Sequence, residues 1–144
     1  MCRPVHHEVD FDASPREVYD AYLDSSRHAR ITGQPARMSR TEGGRFSAGG
    51  SYISGYNLAL VPARRIVQAW RASEWPQGAY SILTLELRRK GRGTTLAVDH
   101  VGIPEEFREG VDQGWYEFYW EPMKTYFRSN RRTSPAAPKG SASK

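Results

Sequence analysis

The sequence predicts an α+β domain in which a curved antiparallel sheet of about six strands wraps around one long C-terminal helix, with two short helices after the first strand. Three observations carry this reading. One strand-like segment comes early, further strand-like segments follow in unbroken succession, and a single amphipathic stretch closes the chain. Strands in such succession form an antiparallel meander, and the dry face of a meander must be covered. The aromatic stretch from Trp115 to Phe127 is the one element long enough to cover it.

Val5, His7, Val9 and Phe11 alternate with His6, Glu8, Asp10 and Asp12, the period of a strand with one buried face. Ser14-Pro15-Arg16-Glu17 then reads as a capping box with proline in the first turn. Val18, Ala21, Tyr22 and Leu23 give that helix its apolar stripe to about Asp24, and Ser25-Ser26 starts a second short helix through His28 to Ile31. Residues 33–55 are rich in turn formers: Gly33, Pro35, Gly43-Gly44, Gly49-Gly50 and Gly55. Arg45-Phe46-Ser47 and Tyr52-Ile53-Ser54 fit hairpin strands between the glycine pairs. A phosphate-cradling loop is excluded here, because it needs a strand before it, a helix after it and a Lys-Ser/Thr pair.

Three longer strands follow. Residues 64–72 set Ile66, Gln68 and Trp70 against Val67 and Ala69. Residues 80–88 set Leu83, Leu85 and Leu87 against Ile82, Thr84 and Glu86, and residues 94–101 set Leu96, Val98 and His100 against the alternate positions. Arg89-Lys90-Gly91-Arg92-Gly93 makes the charged loop between the last two. Pro104-Glu105-Glu106 opens the C-terminal helical region, with acids at the positive end of the helix dipole. Phe107, Val111, Trp115, Phe118, Tyr119, Met123, Tyr126 and Phe127 follow close to a 3.6-residue period. Gly110 and Gly114 weaken the first half, so continuous helix is expected only from near Asp112. Pro122 predicts a kink, and the helix is expected to end near Arg128.

Composition narrows the function classes. A chain of 144 residues fits one domain. Its 38% apolar content, aromatic residues included, suffices for one core. No apolar run reaches membrane-spanning length, and Met1-Cys2-Arg3-Pro4 begins no signal-peptide segment, so a cytoplasmic protein without a membrane role is expected. Cys2 is the single cysteine and reads as an inert thiol at a frayed end. The net charge of +5 does not mark a nucleic-acid binder. Five of the 21 basic residues lie in residues 128–144, and the remaining 16 balance the 16 acids upstream. The division expected is a folded domain over residues 1–128 and a basic disordered tail over 129–144.

Several segments then point to a family. Leu60-Val61-Pro62-Ala63-Arg64-Arg65-Ile66-Val67-Gln68-Ala69-Trp70-Arg71 resembles the Pro-x-x-x-Ile-Val-x-x-Trp-Arg strand of the activators of the Hsp-90 chaperone ATPase. Ser73-Glu74-Trp75-Pro76-Gln77-Gly78 is similar to their Ser-x-Trp-Pro-x-Gly loop, and Gly43-Gly44-Arg45-Phe46 to their Gly-Gly-x-Phe hairpin. Gly102-Ile103-Pro104, Gln113-Gly114-Trp115 and Tyr119 complete a set that runs in the family's order over residues 5–128. The resemblance is to the C-terminal-type domain of those activators, a helix-grip fold shared with the birch-pollen allergen, START-like lipid-transfer domains and polyketide cyclases. It implies two partners, an Hsp-90 homologue or a small hydrophobic ligand in the cavity between sheet and helix. The chain begins directly at this domain, without the N-terminal domain by which the activators mainly grip the chaperone, and Pro122 departs from the family's helix.

The candidate ligand-binding residues combine an expected inward face with a polar handle: Trp70, His100, Trp115 and Tyr119, with Tyr56 and Tyr80 beside them. For the tryptophans the simpler reading is core, and for His100 and Tyr119 it is core or structural hydrogen bonding. No cofactor is expected, and no metal, since His6 and His7 point to opposite strand faces and His28 and His100 lack ligand spacing. No catalytic residue is assigned, because no nucleophile with its base can be placed in one pocket. A non-catalytic module is the reading preferred. The alternative is a cyclase- or hydrolase-type enzyme on a small aromatic or polyketide-like substrate, with His100 or a tyrosine as acid–base.

Overall fold

A computed structural model describes residues 4–133, with side chains to Arg128. Cys2 and residues 134–144 of the expected tail lie outside the described residues. Strand β1 spans Val5–Phe11, and its alternate residues are buried as the period demands. Helix α1, Pro15–Leu23, opens with the full capping box. The Ser14 hydroxyl accepts from the Glu17 N–H, and the Glu17 carboxylate accepts from the Ser14 N–H. Asp24 ends α1 and caps α2, Ser25–Thr32, by accepting from the Arg27 N–H.

Strands β2 (Arg45–Ala48), β3 (Ile53–Val61), β4 (Arg65–Ala72), β5 (Ser81–Lys90) and β6 (Gly93–Val101) then run in succession. They form one antiparallel sheet in the order β1-β6-β5-β4-β3-β2, so the first strand closes the far edge beside the last. Register sets the inner face: His7 opposite Val98, His100 opposite Leu83, Gln68 opposite Leu83 from the other side, and Trp70 opposite Ser81. The long helical segment begins as a 3-10 turn at Glu105–Phe107, continues as α3 (Arg108–Trp115), widens to a π turn at Tyr116–Trp120, and ends as α4 (Glu121–Thr133). It lies in the hollow of the sheet, and Trp115, Trp120, Met123 and Phe127 bury there against Phe11, Leu83 and Leu85. This is a helix-grip fold.

Four departures from expectation have local causes. Gly55 is not a turn residue but lies within β3, which runs on to Val61. A β-carbon at Gly55 would sit 1.8 Å from the Ala69 carbonyl oxygen and 2.9 Å from the Phe46 ring, so close approach demands glycine there. Helix starts at Arg108 rather than near Asp112, because Gly110 and Gly114 cost less than the tertiary packing of the flanking aromatics returns. It continues to Thr133, since residues 129–133 hold neither glycine nor proline and the next breaker is Pro135.

The fourth departure concerns Pro122. The expected interruption takes the form of the π turn just before it, in which the Glu121 N–H reaches back five residues to the Tyr116 carbonyl. A regular helix would aim a missing N–H and a crowded ring at the Phe118 carbonyl, and the wider turn relieves both. The extra residue also changes which side chains face inward. Phe118, placed on the apolar stripe by a 3.6-residue period, is 53% exposed, and Trp120, which that period leaves out, is fully buried.

Two glycine substitutions should therefore move stability in opposite directions in urea unfolding. Gly55→Ala is expected to cost about 1–3 kcal/mol through overpacking. Gly110→Ala, where an added β-carbon meets nothing within 4 Å, is expected to gain about 0.5–1 kcal/mol from helix propensity.

Candidate functional site

The packing between helix and sheet is uneven. At the β1 end of the sheet it is solid, while under α3 it leaves a cavity of about 480 Å³. Its walls come from the end of β4 (Trp70, Ala72), the following loop (Glu74, Trp75) and the helix (Phe107, Trp115). Thr32 and Gln34 at the end of α2 and Tyr52 at the β2–β3 turn complete the rim, with Tyr119 and Phe118 beside the helix. Gly110 and Gly114 line it too, so the helix face above the hollow carries no side chain at two successive turns. A cavity of this size and apolar character is within the range that holds a small organic molecule.

The wall is built by local devices. Arg71 donates to the Trp75, Pro76 and Ala79 carbonyls at 2.8, 3.2 and 3.2 Å, clamping the loop after β4. Gly78, at φ 81°, lets the loop turn back. Trp75 is thereby held against Trp70 and Phe107, with ring centroids 5.6 and 6.3 Å apart. Its indole nitrogen is buried without a hydrogen-bond partner among the described residues.

Behind the cavity the two helix tryptophans are fixed to two histidines. Trp115 Nε1–H donates to His100 Nδ1 at 3.1 Å, and Trp120 Nε1–H donates to His7 Nδ1 at 2.8 Å. Their indoles stack at 5.0 Å with planes 8° apart. Each histidine must therefore present an unprotonated Nδ1. The Ser81 hydroxyl gives its proton to the Trp70 carbonyl, so it accepts from His100 Nε2–H at 2.7 Å. Asp112 accepts from His7 Nε2–H at 2.5 Å. Burial, reinforced by the nearby His7, lowers the His100 pKa to about 3.

A second polar chain supports Tyr119. His28 donates from Nδ1 to the Tyr22 carbonyl at 2.8 Å, which leaves Nε2 to accept from the Tyr119 hydroxyl at 2.8 Å. Burial lowers the His28 pKa and raises that of Tyr119, so both are neutral at ordinary pH. The Tyr22 hydroxyl donates to Gln68 at 3.0 Å, and Gln68 donates to Asn57 at 3.0 Å. Asn57 in turn donates to the Ser39 and Thr41 carbonyls, so this buried chain is satisfied throughout.

Of the residues singled out from sequence, the cavity gathers Trp70, Trp115 and Tyr119. His100 is not on its wall. It lies one layer deeper, fully buried, with both ring nitrogens engaged, and cannot act as an acid–base group there. Tyr56 and Tyr80 are on the opposite face of the sheet, because their strand positions have the parity of Ala69 and the exposed Ile82. They pack on each other at 6.2 Å, under Arg45 and Arg71. Sequence reasoning missed Trp75, Phe107, Glu74 and Glu106 as wall residues. Trp75 alone had a signal, its Trp-Pro-x-Gly loop. No group of three metal-ligating side chains occurs among the described residues, and no helix among them is long and apolar enough to cross a membrane.

Comparison with known proteins places this arrangement. The family described as "Activator of Hsp90 ATPase homolog 1-like protein" matches residues 12–128, most of the chain. The chain belongs to that family. It is 33% identical over 117 residues to human Activator of 90 kDa heat shock protein ATPase homolog 1, covering 81% of this chain and 35% of that protein. The Dictyostelium discoideum homolog is 32% identical over 119 residues, 82% of this chain and 31% of that one. The chain thus spans about a third of the length of these curated relatives. Among solved structures, CalU16 from Micromonospora echinospora superposes with a TM-score of 0.76 at 28% identity, over 88% of this chain and 74% of that one. An HSP90 activator from Plasmodium falciparum gives 0.80 at 22% identity, over 85% and 94%, a likeness of fold.

The neutral histidines make stability depend on pH. His100, with an ordinary pKa of 6.5 and a folded value of about 3, takes up its proton readily only when unfolded. The unfolded state therefore binds more protons between these values, and stability is lost as pH falls through that window. Urea midpoints should drop from about pH 6.5 to pH 5, before carboxylates titrate, by up to about 1.4 kcal/mol per pH unit for each such histidine. His28 adds in the same direction. His100→Gln should be less stable at neutral pH and show a shallower slope. An unchanged slope would contradict the assignment.

Proposed function

We propose that the domain binds a small, largely apolar ligand in the cavity under α3 and performs no chemistry on it. The observation that carries this reading is the hollow itself, about 480 Å³ walled by Trp70, Trp75, Trp115 and Phe107. Interiors are ordinarily close-packed, and a hollow this large forgoes contacts that a binding partner would supply. Tyr119, its proton directed to His28, is the polar group placed to orient a guest.

The chaperone reading is kept beside it on a separate observation, the 33% identity to the human activator across 81% of this chain. On that reading the domain meets an Hsp-90 homologue in the cytoplasm through its surface and alters its ATPase cycle, with the cavity as an accessory. The cyclase- or hydrolase-type alternative would have to use Tyr119, which lines the cavity with His28 hydrogen-bonded behind it, since His100 is not on the wall.

A ligand at a hundredfold excess over its Kd should stabilise the protein by about 2.7 kcal/mol, visible as a thermal shift in a small-molecule screen. Gly114→Leu, which adds a side chain beside Phe118 at the cavity wall, should abolish that shift while leaving the unligated midpoint unchanged or higher. A midpoint that responds to no apolar compound, in protein that carries none on native mass spectrometry, would defeat the proposal. For the chaperone reading, ATP turnover by the Hsp-90 homologue of the same organism is measured with and without saturating protein. A changed rate that survives Gly114→Leu would assign the effect to the surface, and an unchanged rate would reject that reading.

A further inference from the structure

The charges that line the cavity are of one sign. Glu74, in the loop after β4, and Glu106, in the 3-10 turn that opens the helix, both contribute to its wall, and among the described residues no lysine, arginine or histidine does. No ion pair engages either carboxylate among the described residues. Among the described residues the Tyr52 hydroxyl is a hydrogen-bond neighbour of Glu74, and the Tyr52 pKa is raised by burial and then by that carboxylate. The chain as a whole carries +5, so a negative cavity does not follow from overall charge.

The neutral groups agree with the charged ones. His28 Nδ1–H is held by the Tyr22 carbonyl, which obliges Nε2 to take the Tyr119 proton. The Tyr119 oxygen is left with lone pairs, and whatever meets it must donate. The rings of Trp70, Trp115, Phe107 and Phe118 border the same space. An aromatic face carries negative potential and attracts a cation, more strongly where water is thinned out.

We propose that the cavity is selective for a small organic cation, an apolar body bearing one protonated amine, with the ammonium directed toward Glu74 and Glu106 and the body among the indoles. The inference rests on the ligand-binding reading above and narrows it to a chemical class. Carboxylates and indole faces reward positive charge together, while a carboxylate ligand of equal size would meet like charge with no basic residue to offset it.

The test uses three probes of one shape: naphthylethylammonium, neutral naphthylethanol and anionic naphthylpropanoate, titrated calorimetrically at neutral pH into the full chain. The ammonium is expected to bind about tenfold more tightly than the alcohol, and the carboxylate weakest. The Glu74→Gln/Glu106→Gln double variant alters two exposed side chains and should bring ammonium and alcohol close to parity while alcohol affinity stays the same. The preference should also shrink as salt is added. Alcohol and ammonium binding equally, or the carboxylate binding best, overturns the cation inference and leaves the apolar-ligand reading standing. A preference that persists in the double variant likewise overturns the assignment to these carboxylates. Binding of none of the three overturns both.

Discussion

Two indole N–H groups reach from the long helix to the Nδ1 atoms of two imidazoles on neighbouring strands, and the seating of the helix depends on that pair of bonds. Trp115 on His100 and Trp120 on His7 fix both the rotation of the helix and its position along the sheet. Each bond requires an unprotonated Nδ1, and each histidine has its other nitrogen tied down, by Ser81 in one case and Asp112 in the other. A histidine that gained a proton at Nδ1 would turn a donor toward a donor, and the helix would lose its footing there. The two tryptophans are five residues apart, a spacing an α-helix does not keep on one face. The π turn ahead of Pro122 brings them into register, so a residue that ordinarily breaks a helix is here tied to its docking.

That docking divides the concave face into two regions with different physical character. Toward β1, Trp120, Phe11, Phe127 and Met123 fill the space, and an edge-to-face contact of Phe11 with Phe127 at 5.7 Å closes it. Toward the loop after β4 the helix runs over glycines, and the sheet offers Ala72 and Gly49, so the space stays open. The filled region supplies the stability that an unfilled hollow forgoes. Trp115 belongs to both, stacked on Trp120 on one side and bordering the cavity beside Trp70 on the other. A guest in the cavity would therefore press on the same indole that anchors the helix, which links occupancy to the stability of the whole domain.

The family motifs and the charge of the cavity rest on different residues. The family motifs lie in the elements that build the fold: the β4 strand with Arg71, the loop it clamps, and the helix start at Gln113-Gly114-Trp115. The charged wall residues Glu74 and Glu106 fall at motif positions that the family pattern leaves open or outside the motifs altogether. The motif residues thus account for how the hollow is constructed, and its charge comes from Glu74 and Glu106.

The sequence by itself determined the succession of strands along the chain, the inward residues of β1, β4, β5 and β6, the capping box at Ser14 and the presence of a covering helix, because each is written in a local period or a local cap. Tertiary structure alone decided which residues meet. Trp120 was illegible because a π turn shifts the helix phase by one residue, and a 3.6-residue template assumes there is none. Gly55 looked like a turn because only the opposing Ala69 carbonyl shows why glycine is needed within a strand. Tyr56 looked like a cavity residue because it lay outside any expected strand, and the extended β3 turned it outward. Tyr80 was misjudged although the parity of the expected strand over residues 80–88 already set it with Ile82 on the outer face. His28 and Tyr119, 91 residues apart, meet only when the sheet curves around the helix, and Glu74 and Glu106 border one cavity for the same reason. Periodicity records which face a side chain takes, whereas the cavity and its charge depend on which distant faces are folded against each other.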